Sequence, residues 1–157
     1  MPHFTTSRRV AVSPEIAFAV AADVAAYREF LPLLERSQIR GRKAPQGSGE
    51  SFQADLVVAY AKLGLRESFV SKVVTDAAAG TVTATSSERP FKSLKAVWSI
   101  AEAPGGCDVT IAIDYVFSST MLQLAAGSMM GYASQKIMDA FSAQALVKSK
   151  NHSTTDF

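Results

Sequence analysis

Histidine is missing from the body of this chain. Of its 157 residues only His3 and His152, one near each end, are histidine, and Cys107 is the single cysteine. A Ser-His-Asp or Cys-His nucleophilic centre needs an imidazole that titrates near neutrality, and zinc sites draw on clustered Cys and His. Neither can be assembled here, so no catalytic residue and no metal ligand is assigned. One cysteine cannot form an internal disulfide, and nothing demands an oxidising compartment. Charge is scarce as well: 19% of residues are charged against 48% hydrophobic, and 16 basic residues against 14 acidic ones leave a net charge of +2. That excess is too small to require a nucleic-acid partner, and no DNA binding is expected. Two local basic runs stand out, Arg36, Arg40, Arg42 and Lys43, and then Arg89, Lys92 and Lys95. Each reads first as a solvated face and second as a contact for lipid headgroups or RNA phosphates.

What remains is a single apolar domain over residues 1–150, followed by a polar tail, 151–157, expected to be disordered. A chain of this size buries roughly 70% of the surface it exposes when unfolded, which is enough to fold without staples. Arg8-Arg9 and the apolar residues up to Ala22 resemble a secretory signal, but Pro14 and Glu15 interrupt the apolar region, and a strand followed by a capped helix accounts for it better. No charged residue lies between Asp114 and Lys136. That length would suit a membrane span, yet Ser118, Ser119, Thr120, Gln123, Ser128, Ser134 and Gln135 are scattered through it. The expectation is a soluble, cytoplasmic bacterial protein.

Phe4, Thr6, Arg8, Val10 and Val12 alternate with polar neighbours as a strand does, up to Ser13-Pro14. Ser13 then caps a helix, with Pro14 at its first position and Glu15 at the positive end of the dipole. Ile16 and Val20 face inward. Asp23 is expected to cap a second short helical turn running to Tyr27 and ended by Pro32. Turn chemistry at Pro45–Gly49, Leu63-Gly64, Asp76–Gly80 and Pro104–Gly106 then divides a succession of hairpin strands. Alternation is clearest in Phe52 to Tyr60, Leu94 to Ile100 and Cys107 to Phe117. The stretch from Leu65 to Val74 is mixed, and Thr81 to Ser87 has the Thr and Ser content of an edge or solvent-facing strand. From Thr120 to Lys148 the period becomes helical, with Leu122, Ala126, Met129, Met130, Ala133, Ile137 and Phe141 recurring at three and four. A helix of about 29 residues, roughly 43 Å at 1.5 Å each, fits across the concave face of a twisted antiparallel sheet. The fold class is α+β.

Taken in order, Arg9-Val10 leading into a Ser-Pro helix, Asp23-Val24 with Tyr27, Phe30-Leu31-Pro32, Pro90-Phe91-Lys92 with Leu94 and Trp98, the Val109–Phe117 strand, and Phe141 with Ala145 resemble the coenzyme Q-binding members of the START-like superfamily. That family is also described as polyketide cyclase/dehydrase, and it has bacterial relatives called ribosome association toxins. The match runs over nearly the whole chain. It differs from the family pattern at Leu33, where an aromatic is common, at Arg89, where Gly is common, and at Gln144, where Arg is common. The resemblance implies a helix-grip fold with a hydrophobic tunnel between sheet and final helix. It also implies non-enzymatic binding of a lipid such as ubiquinone, with no cofactor beyond that ligand and with peripheral contact at the inner membrane.

On this basis the ligand-binding residues are expected to be Phe30, Leu31, Pro32, Phe91, Leu94, Trp98, Leu122, Met129, Met130, Ala133 and Ile137. The bland reading keeps Met129, Met130, Trp98 and Phe91 as plain core. Gly127 and Gly131 cost about 1 kcal/mol each inside a helix, and space for a guest, with flexible methionines around it, would explain them. The carboxylates that could serve as an acid and base are Asp23 and Glu29, near the same turn, and Glu67 and Glu88, expected on strands, but only a raised pKa in an apolar pocket would make any of them useful. The alternatives to lipid carriage are a ribosome-associated translation inhibitor and, behind it, a polyketide cyclase or aromatase.

Overall fold

The computed structural model describes residues 3–43, 47, 49–60 and 64–155. Strand β1 (His3–Val10) runs into helix α1 (Pro14–Ala22), where the Ser13 hydroxyl accepts from the Ile16 amide as a cap should. A 3₁₀ helix, Val24–Glu29, follows. Asp23 occupies its cap position, but the side chain makes no capping bond; the Asp23 carbonyl accepts from the Ala26 amide at 3.1 Å instead. Helical residues Ala17, Val20 and Ala21 are the ones buried, with Ile16 and Phe18 half-buried beside them.

Six further strands come next: β2 (Leu34–Arg40), β3 (Gly49–Tyr60), β4 (Leu65–Asp76), β5 (Thr81–Ser86), β6 (Phe91–Ala103) and β7 (Gly106–Phe117). They form one seven-stranded antiparallel sheet in the order β1-β7-β6-β5-β4-β3-β2. The sheet is a meander closed by β1, which returns to lie beside β7. Two glycines make its tight corners possible. A Cβ on Gly106 would stand 2.1 Å from the Val10 carbonyl oxygen, and one on Gly80 2.5 Å from that of Ile100, so only hydrogen fits at either place.

The Thr-rich strand, expected either at an edge or facing solvent, is interior to the sheet with its Thr side turned outward. β5 pairs with β4 on one side and β6 on the other, burying Val82 while Thr85 faces outward. Its hydroxyls serve the outer face of the sheet, and composition alone could not tell an outer face from an edge. The mixed stretch is likewise a full strand, β4, whose inner phase is Phe69, Ser71, Val73 and Thr75.

Helix α2 (Thr120–Thr155) closes the fold. Its backbone continues past Lys148 through residues 151–155, which had been expected in a disordered tail. The Ser119 hydroxyl accepts from the Leu122 amide at 3.3 Å, and the Gln123 side chain accepts from the Phe117 amide at 2.7 Å, which fixes the strand-to-helix turn. The second half of α2 is seated firmly. Met138, Phe141 and Ala145 are fully buried, and Asp139 and Gln135 take the Arg8 guanidinium at 2.5 and 3.1 Å. The core thus gathers around α1, β1, β6, β7 and that half of the helix.

Candidate functional site

The first half of α2 does not sit on the sheet. Between them lies a cavity of about 280 Å³. Strands β3 to β7 form its floor and walls through Leu56, Val58, Phe69, Val73, Val82, Leu94, Trp98 and Ile111; α2 roofs it with Leu122, Ala126, Met130, Ala133 and Ile137. The chain from Leu31 to Leu34 closes one side. Burial grades along it: Val73, Val82, Trp98 and Ile111 at one end are buried, whereas Tyr60, Phe91, Phe117 and Leu122 are only half-buried. The open end therefore lies near the start of α2.

Why the sequence builds a hollow here follows from side-chain phase. In β6 and β7 the inner residues face one another in register, Trp98 beside Ile111 and Leu94 beside Tyr115, with apolar groups on the concave face. The α2 residues above them include Ala126 and Ala133, too short to reach the floor. A helix with small residues over a curved sheet leaves a gap that larger ones would fill.

Nine of the eleven expected residues line this cavity: Leu31, Pro32, Phe91, Leu94, Trp98, Leu122, Met130, Ala133 and Ile137. Phe30 does not. It terminates the 3₁₀ helix, and its ring packs edge-on against Tyr27, centroids 6.0 Å apart, so it supports the wall from behind. The Met129 side chain lies outside the described residues. The account of the two helix glycines also fails: Gly127 and Gly131 are exposed, a Cβ on either would meet nothing within 4 Å, and neither borders the cavity. Space for a guest comes from the alanines. Residues not anticipated include Phe69, Ser71 and Val73, whose signal was the two-residue period hidden in β4, and Tyr27, Leu33 and Tyr60.

Polar groups in the lining are few and mostly committed. The Tyr27 hydroxyl donates to the Ala21 carbonyl. Burial pushes the Tyr27 phenol far above its usual range, so it stays neutral. Ser71 turns its hydroxyl to the Thr85 carbonyl at 3.2 Å. Among the described residues the lining holds no carboxylate, lysine, arginine or histidine. Asp23, Glu29, Glu67 and Glu88 all lie outside it. A surface of this kind can shelter an apolar molecule, and it offers no acid-base pair.

One residue of the wall is strained. Leu33 has φ +74°, a left-handed conformation that costs a branched side chain roughly 1–2 kcal/mol. The Leu33 carbonyl accepts from the Ala59 amide at 2.8 Å, which holds the loop against β3.

On the outside, the first basic run is largely neutralised: Arg40 pairs with Asp55 at 2.9 Å and Arg42 with Glu50 at 3.0 Å. A second, polar cleft of about 730 Å³ runs between the 3₁₀ helix and β2, lined by Arg28, Arg36, Arg66, Glu35 and Gln38. No helix among the described residues is long and apolar enough to cross a membrane.

Comparison with known proteins agrees with this architecture. The family model described as polyketide cyclase / dehydrase and lipid transport matches residues 10–142. The coenzyme Q-binding protein of Schizosaccharomyces pombe mitochondria is 32% identical over 155 residues, covering 98% of this chain and 92% of that one. A ribosome association toxin of Vibrio cholerae is 28% identical over 149 residues, covering 92% and 96%. Among solved structures, a START superfamily protein from Mycobacterium smegmatis superimposes with a TM-score of 0.75 at 17% identity, over 91% of this chain and 96% of that one. By family match and relatives together, the chain belongs to the family described as polyketide cyclase / dehydrase and lipid transport.

Proposed function

We propose that this protein is a non-enzymatic carrier that binds, and transports or presents, a hydrophobic lipid in the cavity between sheet and α2, with ubiquinone or another polyisoprenoid as the ligand. The observation that carries this reading is the chemistry of the lining, with an apolar wall and its buried Tyr27 and Ser71 hydroxyls already bonded to backbone carbonyls. Binding then draws on apolar burial, roughly 25 cal/mol per Å² before ordering costs. At about 280 Å³ the cavity lies just below the range of about 300–1,000 Å³ usual for ligand sites. It suits a quinone ring with the first part of its chain, and the rest of a long tail is left to the open side. The name of the fission-yeast relative points to the same ligand class.

Trp98 is the only tryptophan and lines the cavity, so it reports directly on occupancy. Ubiquinone added from ethanol should quench its fluorescence saturably near one equivalent, and mass spectrometry of organic extracts of the purified protein should find a copurifying quinone. Absence of both would overturn the reading.

The cleft between the 3₁₀ helix and β2 favours a second reading, a ribosome-associated inhibitor. Arg28 and Arg36 there have no carboxylate partner among the described residues. It predicts cosedimentation with ribosomal subunits that falls steeply between about 50 and 200 mM salt, and salt-insensitive or absent sedimentation would count against it.

A further inference from the structure

The outer face of α2 changes character along its length. From Thr120 to Gln135 the helix carries no charge at all, and its first charged residue is Lys136. A helix with one face toward the protein and the other toward water ordinarily puts charges on the wet side. Here that side presents Met121, 80% exposed, Leu124, 75% exposed, and Tyr132, 61% exposed. At 100° per residue these fall on one stripe, opposite the cavity-facing Leu122, Ala126 and Met130. The uncharged half of α2 thus carries large apolar side chains on its wet side as well as on its cavity side, and it is the half that borders the open end of the cavity.

We infer that this stripe is a docking surface for an anionic phospholipid bilayer, with α2 lying on the membrane rather than across it. Three features favour lipid over a protein partner. The stripe lies on the same stretch of α2 whose other side puts Leu122, beside Phe117, at the open end of the cavity, so a docked bilayer would lie next to that opening. It ends at Tyr132, whose ring carries the Lys136 ammonium 5.3 Å from its centroid, the aromatic and cation combination that settles at the level of headgroups. Arg89, in the turn before β6, and Lys92, in the first residues of that strand, are both exposed and without an ion pair among the described residues, and the Pro90 carbonyl between them accepts from the Ser118 amide just before α2. Leu31, by contrast, is buried and contributes nothing to such a surface. The inference rests on the lipid-carrier reading, since it supplies the route by which the cavity would fill.

The test separates the two. Flotation with vesicles of phosphatidylcholine alone and with added phosphatidylglycerol, free of quinone, measures docking; Trp98 quenching by quinone delivered from ethanol measures the cavity. Wild type should float with the anionic vesicles. The double variant Met121→Ser/Leu124→Ser should lose about tenfold or more of that binding while its quenching is unchanged, and Lys92→Glu should weaken docking at low salt only. Vesicle binding by the double variant equal to wild type would overturn the proposal. So would a wild-type dimer in light scattering that the double variant abolishes, because the stripe would then belong to a second copy. Loss of quenching with docking intact would instead remove the carrier reading.

Discussion

The indole of Trp98 lies stacked on the ring of Phe141, with centroids 4.6 Å apart and planes 24° from parallel. This contact joins the middle of β6 to the buried half of α2 and sets the place where the helix leaves the sheet. Trp98 presents one part of itself to Phe141 and another to the cavity, so a structural contact and the inner end of the site share one side chain.

Replacing Phe141 with Ala should therefore do two things. Removal of a fully buried Phe costs about 3–5 kcal/mol, enough to lower the urea midpoint well below that of wild type. It also deletes the stacking partner that positions the Trp98 indole, so quinone affinity should fall further than for Phe141→Leu. Equal affinities in the two variants would show that the stacking does not shape the cavity.

Leu94 and Leu31 give a graded test of the cavity wall. Leu94 is half-buried, so a glutamate there can keep its charge near water while placing it beside the ligand. Leu94→Glu should reduce quinone binding by about tenfold or more with a melting temperature near that of wild type. Leu31 is buried at 8% exposure, and Leu31→Glu should lose both binding and stability. Unchanged quinone loading in Leu94→Glu would place the ligand elsewhere.

These sites were legible to different depths. Wherever period and phase were unbroken, as from Phe52 to Tyr60 and from Cys107 to Phe117, the sequence pointed to the concave face correctly, because a strand's two faces are fixed by its pleat. β4 was obscured because Ser71 and Thr75 stand inward among Phe69 and Val73; the Ser71 hydroxyl is satisfied by the Thr85 backbone, a partner that only the assembled sheet supplies. The place of β5 depended on strand order, which no local pattern encodes. In α2 the cavity-facing stripe was visible from its spacing. The glycines misled because the same helical period that puts Ala126 over the cavity puts Gly127 and Gly131 off it.

The conformation of Leu33 leads to an unusual pair of substitutions. At φ +74° glycine is at ease and a β-branched residue is not. Leu33→Gly should keep stability within about 1 kcal/mol of wild type, relief of strain offsetting the lost apolar contact, whereas Leu33→Val should lose more than that. Urea unfolding of both decides it, and a valine variant as stable as the glycine one would mean the loop rearranges freely.

Stability at high pH should carry the mark of Tyr27. Its phenol is raised well above the usual value of about 10, chiefly because burial disfavours the phenolate, with the Asp23 charge adding a smaller push. An acid whose folded pKa lies above its unfolded one holds its proton longer when folded. Its contribution is whole below the unfolded pKa and is lost as pH climbs from there toward the folded value. Cys107 acts in the same direction, its thiol pushed up by burial and by Asp108, with onset nearer the ordinary thiol range. Wild type should therefore unfold at progressively lower urea concentration from about pH 9 upward. Tyr27→Phe should be less stable at pH 7, since the Ala21 carbonyl loses the Tyr27 donor and is left as a buried acceptor, yet its stability should fall less steeply above pH 10. Parallel slopes for the two proteins would mean that the Tyr27 hydroxyl reaches water in the folded state, and that the inner end of the cavity is wetter than its lining implies.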